Sequence, residues 1–508
     1  MKIKLAFAFI LLTNIGFAQT NTEQHRPQFH FSPPTKWMND PNGMVYYKGE
    51  YHLFYQYYPD STVWGPMHWG HGVSKNLVHW THLPIAIYPD SLGCIFSGSA
   101  VVDAKNTSGF GKKGGESPLV AIFTYHNFVG EKANRNDFQT QGMAYSLDKG
   151  RTWTKYANNP VVKNPGIRDF RDPKVLWHEA SKQWIMTLAV ADHVEFFASK
   201  NLKDWAKTGA FGQAEGAHGG VWECPDLFPM KVFGTTETKW VLIGNIGGGA
   251  PNGGSGTQYF VGDFDGKTFK NDEKPSKTLW FDYGKDNYAG VTWSNNLDGR
   301  RILLGWMSNW QYAQVVPTVA WRSANTVPRE LSLENTKEGL RLTQKPVKEL
   351  EILRGSGSSD FGGEVSDFKL IGGESVTKDI EFTLDLSKTT ANEVGIVLSN
   401  SKNEKVEIGF DKAKNEFFID RTEGGKRDFS KDFAGRQIAP RVSESSILTM
   451  RLLIDVASVE FFADDGSVAM TAIYFPNEDF KTTKVFAKNG RAKVTKGNVW
   501  TLKSIWKQ

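Results

Sequence analysis

Cysteine is almost missing from this chain, with Cys94 and Cys224 the only two among 508 residues. Two thiols are too few for a disulfide scaffold. An oxidising compartment would allow them to pair, but each stands at the head of an apolar, strand-like run, where a buried free thiol is the simpler expectation. Charge of one sign is also scarce. Formal net charge is +5 and falls to +3 without Lys2 and Lys4, and no basic block stands out. That argues against an electrostatic nucleic-acid binder. Beyond the N-terminus no apolar run is long enough to span a bilayer, and helical periodicity is scarce throughout. Two glycine-rich stretches, Gly247 to Gly249 and Gly253 to Gly256, are followed by no Lys-Ser/Thr pair and no helix, which removes a phosphate cradle. His68 and His71 have the spacing of a metal pair, but they lie among aromatics without a helix or cysteine cluster, so satisfied histidines are expected and no metal.

What is present begins with an export signature. Lys2 and Lys4 precede an apolar core from Leu5 to Leu12 and a small-residue cleavage site at Gly16-Phe17-Ala18. Residues 1–18 therefore read as a signal peptide, giving a periplasmic or extracellular protein without membrane insertion. The seventeen Trp and fifty Gly suit many strands and tight turns.

Two elements repeat along the chain. Asp40-Pro41, within Trp37 to Gly43, returns as Asp172-Pro173 after Arg171 and, shifted by one, as Glu223-Cys224-Pro225. Each is followed by apolar stretch, polar turn and apolar stretch. A second motif has a Ser, an Asn or Asp two places on, and a Trp at six or seven: Ser74 to Trp80, Ser146 to Trp153, Ser199 to Trp205, with Asp263 to Phe269 a weaker copy. The intervals between the aromatics are 73, 52 and 64 residues, irregular as in propeller blades with variable loops. Five strand clusters begin near Trp37, Cys94, Asp169, Val221 and Asn287. The expectation is an all-β chain: a five-bladed β-propeller over residues 30–345, with the acids on innermost strands at one mouth of the channel.

Beyond Pro346 the pattern changes. Residues 346–363, rich in Gly and Ser near their end, read as a linker. Alternating runs at Asp379 to Leu386, Lys405 to Phe410, Glu416 to Ile419, Thr449 to Val456 and Val459 to Phe462, with Asp465-Gly466 as a hairpin turn, give a β-sandwich over 364–508.

A single acid before proline is explained by a turn. Three on converging repeat units point to a functional cluster. Glu223, flanked by Val221, Trp222 and Cys224, is expected to favour its neutral form, and Asp172 beside Arg171 its ionised form. A protonated and an ionised carboxyl together serve glycosyl transfer. Asn39, Gln56, Trp64, Phe96, Ser97, Arg171 and Trp306 lie in or beside inner strands, where rings cover a sugar face and polar groups bond its hydroxyls.

These motifs resemble the signature blocks of glycoside hydrolase family 32, the β-fructofuranosidases that include invertases, inulinases and levanases. The likeness extends over nearly the whole mature chain, with Trp69-Gly70-His71, Gln139-Thr140-Gln141, Gly305-Trp306-Met307 and Pro328-Arg329-Glu330-Leu331 as further blocks. It implies a five-bladed propeller followed by a β-sandwich. It also implies that Asp40 is the nucleophile, Glu223 the acid and then base, and Asp172 a stabiliser, with the seven polar and aromatic residues above lining the fructosyl pocket. No metal or organic cofactor is implied. Where relatives carry Asn-Pro after Gln-Tyr this chain has Tyr58-Pro59-Asp60, so Tyr58 is expected to reshape the pocket rim.

The reading that follows is an exported exo-acting hydrolase of levan or inulin, and of sucrose. A dedicated invertase, a fructosyltransferase and a non-catalytic fructan-binding protein are the alternatives. The sandwich, which has no acid motif, is expected to support the propeller or to join two copies as a homodimer.

Overall fold

The repeated Ser-Asn-Trp turn is the device that cuts the first part of the chain into sheets. In the computed structural model, which describes residues 21–296 and 298–506, Asn76 Oδ1 accepts from the N–H groups of Val78 and His79 at 3.2 and 2.9 Å. Asn201 does the same for Lys203 and Asp204, Asp148 for Arg151 and Thr152, and Asp265 for Lys267 and Thr268. The Trp indole then closes the loop by donating to the carbonyl of Leu77, Gly150 or Leu202. A side-chain amide or carboxylate satisfying backbone donors this way stabilises a turn without a ladder partner.

Each turn joins the third and fourth strands of one sheet. The first sheet is β1 (Lys36–Tyr47), β2 (Glu50–Tyr58), β3 (His68–Ser74) and β4 (Trp80–Ile87). The second is β5 (Cys94–Val102), β6 (Leu119–His126), β7 (Gln139–Ser146) and β8 (Thr154–Lys155), with helix α1 (Phe128–Lys132) between β6 and β7. The third is β9 (Phe170–His178), β10 (Gln183–Val190), β11 (His193–Ser199) and β12 (Ala206–Phe211). The fourth is β13 (Trp222–Lys231), β14 (Thr238–Ile246), β15 (Gly256–Phe264) and β16 (Phe269–Asn271), with β17 (Leu279–Trp280) also on β15. In the fifth, β18 (Tyr288–Thr292), β19 (Arg301–Trp306), β21 (Arg329–Thr336) and β22 (Gly339–Pro346) pair in order, while β20 (Trp321–Arg322) leaves it to pair parallel with β1.

The first strands form the hub. β1 packs on β5, β5 on β9, β9 on β13, β13 on β18 and β18 on β1, closing a ring. Apolar cores fill the gaps between successive sheets, as Phe54, Trp69 and Phe123 do between the first and second, and Phe196, Trp222 and Phe260 between the third and fourth. This is a propeller, with one sheet for each of the five expected units among the described residues.

The expected linker is more ordered than its composition implied. Lys348–Leu353 forms a 3-10 turn whose Leu350 and Leu353 are buried with Trp37 and Trp293 in the propeller core. Ser359–Asp360 already pairs with Ala492–Thr501 in the second unit. That unit stacks one sheet containing Lys378–Asp385, Ile447–Asp455 and Ser458–Ala463 against another containing Glu393–Ser399, Lys405–Asp411 and Glu416–Asp420, over a shared apolar core. It is a β-sandwich, with Asp465 at φ 57° making the expected turn.

Buried ions join the two units. Arg329 pairs with Asp282 at 2.9 Å and with Glu460 of the sandwich, and His30 bonds Asp455 and Glu460 at 2.8 Å each. Arg421 of the sandwich reaches Asp286 at 2.6 Å and the Tyr312 hydroxyl at 2.8 Å. The expected signal peptide, residues 1–18, lies outside the described residues.

Candidate active site

All five hub strands carry a bulge at the same level. Pairing with the second strand slips between Met38 and Pro41, between Ile95 and Gly98, around Asp172, between Glu223 and Asp226, and between Tyr288 and Val291. Asp172, Cys224 and Ala289 there have positive φ, at 63°, 41° and 53°. A bulge re-aims side chains that a regular strand would send into the blade. The re-aimed residues are the expected ones: Asn39 and Asp40 from β1, Phe96 and Ser97 from β5, Asp172 from β9, and Glu223 from the edge of its bulge in β13.

They meet round a cavity of about 370 Å³ lined by Asn39, Asp40, Gln56, Trp64, Phe96, Ser97, Arg171, Asp172 and Glu223, among others. Ser97 Oγ donates to Asp40 Oδ2 at 2.8 Å, and the Cys224 backbone N–H donates to Asp172 Oδ2 at 3.0 Å. The Cys224 thiol lies 3.5 Å from Asp40 Oδ2 and 3.7 Å from Asp172 Oδ2, so both carboxylates rest on one sulfur. Asp40 Oδ1 and Gln56 Nε2 are buried without a partner in the protein, groups left to be satisfied by a ligand. One layer below, Lys174, Asp226 and Thr292 fill the channel. Lys174 Nζ is 3.0 Å from Asp226, whose Oδ2 also accepts from the Thr292 N–H and hydroxyl. The site is thus a dead end.

Burial, then the charge of Glu223, pushes Asp40 up to about 6. Burial likewise raises Asp172 to about 7, Arg171 opposing and Glu223 and Asp40 assisting. Burial thus outweighs Arg171 and works against the ionised form expected for Asp172. The Arg171 guanidinium turns to Glu223 Oε1, at 3.1 and 3.2 Å, and to Asp169 at 2.5 Å, and stands 3.9 Å from Asp172. Burial disfavours the Arg171 cation, but the charges of Glu223, Asp172 and Asp169 hold its proton well above the ordinary range. The apolar surroundings expected for Glu223 are also absent, because Trp222 points the other way into the blade core. Glu223 instead accepts from Arg171 and from the Tyr288 hydroxyl.

Three acids on three blades, two sharing a sulfur and one bound by an arginine, bear directly on the family. The sequence profile "Glycosyl hydrolases family 32 N-terminal domain" matches residues 30–346, and "Glycosyl hydrolases family 32 C terminal" matches residues 340–501. The chain belongs to glycoside hydrolase family 32. Within it, a levanase of Bacillus subtilis is 48% identical, over 99% of this chain and 75% of that protein. An extracellular exo-inulinase of Aspergillus niger is 38% identical, over 97% and 98%. Among solved structures, an exo-inulinase from Aspergillus awamori superposes with a TM-score of 0.88 at 35% identity, over 96% of this chain and 100% of that one. A β-fructofuranosidase from Schwanniomyces occidentalis, complexed with fructosyl-erythritol, gives 0.86 at 33% identity, over 95% and 99%.

Against that family background two expectations change. Trp306 does not line the cavity: it is fully buried behind Trp310, ring centroids 4.9 Å apart, and Trp310 forms the wall. Alternation along β19 turns Trp306 toward Trp37 and Tyr288. Tyr58 does not itself line the cavity: its ring packs against Gly65, next to the lining residue Trp64, so it can act on the rim only through that loop. Sequence reasoning missed Tyr288, Trp310, His126, Glu131, Arg168 and Asp169. Two of them had a signal: Tyr288 opens the fifth hub strand, where the other units carry site residues, and Asp169 stands at the head of the third unit. His71 is buried, stacks on Phe54 and bonds His52 at 3.1 Å, whereas His68 is only half-buried, with its Nδ1 3.1 Å from the Pro66 carbonyl. Cys94 and Cys224 are buried free thiols.

Proposed function

We propose that the chain is an exported, exo-acting retaining β-fructofuranosidase that releases terminal β-D-fructofuranosyl units from levan- or inulin-type fructans and from sucrose. The observation that carries this is a dead-end cavity with three carboxylates from separate blades. Such a site admits a chain end and surrounds it with acids.

In this reading Asp40 attacks the anomeric carbon while Glu223 protonates the departing oxygen. Water then opens the covalent fructosyl-enzyme, with Glu223 taking the water's proton, and configuration is retained. The unpartnered Asp40 Oδ1 is the free nucleophilic oxygen, while Ser97 and Cys224 hold the other. Asp172, buried and next to the Cys224 N–H, is suited to bind fructosyl hydroxyls. Arg171 and Tyr288 orient Glu223, and Asn39, Gln56, Trp64, Phe96 and Ser97 shape the pocket. The propeller of residues 30–345 is the catalytic unit, and the sandwich supports it through the buried ion pairs.

The named activities of the relatives favour fructan over sucrose alone, and the relative described as extracellular favours export. Incubation with levan, inulin and sucrose tests the proposal. Free fructose should be the early product from the polymers, initially in the β-furanose form by NMR. Short oligosaccharides as first products, or no release at all, would reject it. Pairing of two copies through the sandwich is decided by light scattering on the purified chain.

A further inference from the structure

The cavity has a second wall that the three-acid mechanism does not use. It comes from the β6–β7 connection and from the residues just before β9. His126 ends β6, and Asn127 caps α1 by accepting from the N–H groups of Val129 and Gly130 at 3.0 Å each. This sets Glu131 on the cavity side, where Arg168 faces it.

The wall is held by a closed circuit of contacts. The His126 ring stacks on Phe96 with centroids 4.2 Å apart, and its Nδ1 faces the Gln139 amide at 3.2 Å. With Nδ1 accepting, the neutral ring keeps its proton on Nε2 and donates it to Glu131 Oε2 at 3.0 Å. Arg168 lies over the Phe138 ring, 5.3 Å from its centroid, and 3.6 Å from Glu131 Oε1. That separation is too long for a good hydrogen bond. The two side chains are 33% and 51% exposed, so both keep capacity directed at what enters the cavity.

Position decides which part of a substrate they would meet. The oxygen that leaves must touch Glu223, the proton donor. Glu223 is bound by Arg171, Arg171 by Asp169, and Asp169 adjoins Arg168. Glu131, Arg168, Asp169, Arg171 and Glu223 line the same cavity, which gives the wall a place near the proton donor, where the departing group lies in this reading. A carboxylate accepting from one hydroxyl beside a guanidinium donating to its neighbour is complementary to a vicinal diol.

We propose that Glu131 and Arg168 form the leaving-group subsite, gripping a vicinal diol on the sugar attached to the terminal fructosyl unit and setting preference among fructosyl donors. The inference rests on the fructosidase reading. Its substrate class is a fructosyl unit glycosidically linked to a second sugar.

The test compares sucrose with methyl β-D-fructofuranoside, which presents the same fructosyl unit with no diol beyond the bond. The readout is the ratio of their kcat/KM values in wild type, Glu131→Ala, Arg168→Ala and the conservative Arg168→Lys. Loss of one charge-assisted hydrogen bond should lower that ratio about 10-fold in each alanine variant, with a smaller fall for Arg168→Lys. An unchanged ratio overturns the subsite, whether both substrates slow equally, as a merely structural role requires, or neither does. Arg168 makes no hydrogen bond among those described that holds the fold, so its variants keep the test open if Glu131→Ala folds poorly. Wild-type enzyme inert on both substrates would instead overturn the fructosidase reading beneath it.

Discussion

Arg171 reaches from one blade to the Glu223 carboxylate of the next at 3.1 Å, while the acid beside it in sequence, Asp172, stands 3.9 Å away. A guanidinium spanning Asp169 and Glu223 fixes the orientation of the proton donor. A lysine carries the charge but cannot bridge two carboxylates in one plane. Arg171→Lys should lower kcat on sucrose roughly 10²-fold with the melting temperature nearly unchanged, and an unaltered kcat would remove Arg171 from the orientation of Glu223.

Asp40 makes the acid side of the pH profile predictable. A nucleophilic carboxylate must be ionised, and burial with the nearby charge of Glu223 places its titration at about 6. kcat/KM, which reports the free enzyme, should therefore fall about tenfold per pH unit below that value. A limb centred near the ordinary carboxylate value of about 4 would show that the site is wetter than its geometry implies.

The same shift has a stability consequence. An acid whose folded value is raised favours the fold below its unfolded value, and that contribution is lost as pH climbs through about 6. Asp40→Asn removes the charge, so at pH 7 to 8 it should stabilise the protein by about 1–3 kcal/mol, an advantage that fades below about pH 4. Activity should drop by at least about 10⁴-fold. Thermal melts across pH and residual turnover check both halves.

The buried thiols should be silent. Burial pushes Cys94 up to about 12, and burial with the charges of Asp172, Asp40 and Glu223 raises Cys224 well above its ordinary value. Since only the thiolate reacts, a thiol reagent should label neither in the native protein and both after denaturation. Fast native labelling of Cys224 would contradict its place between two carboxylates.

His30 ties the domains together through a charge. Burial works against its protonation, but hydrogen bonds to Asp455 and Glu460 raise it to about 9. Its contribution is complete below about pH 6.5 and is lost as pH rises through 9. His30→Ala should cost about 3–5 kcal/mol at pH 6, and the gap in melting temperature from wild type should narrow above pH 9.

Asp40, Asp172 and Glu223 were legible because a repeat places them at equivalent points of a closed ring, where position in the unit becomes position in space. The protonation of Asp172 was not legible, since its burial is a property of the fold and its sequence neighbour Arg171 reaches chiefly to Glu223 and Asp169. Trp306 was misplaced by one strand alternation, with Trp310 behind no motif at all. Glu131 and Arg168 belong to connections outside the repeat, where periodicity says nothing. The sandwich strands with regular alternation could be read, but Ser359–Asp360 sat inside a stretch whose Gly and Ser content resembled a tether.

The segment between β19 and β21 works as a keystone. It offers Trp310 to the cavity, anchors Tyr312 on Asp286 and on Arg421 of the sandwich, and lays Trp321 and Arg322 along β1 to clasp the last blade to the first. Lifting it would loosen the hub, the domain junction and one face of the pocket together.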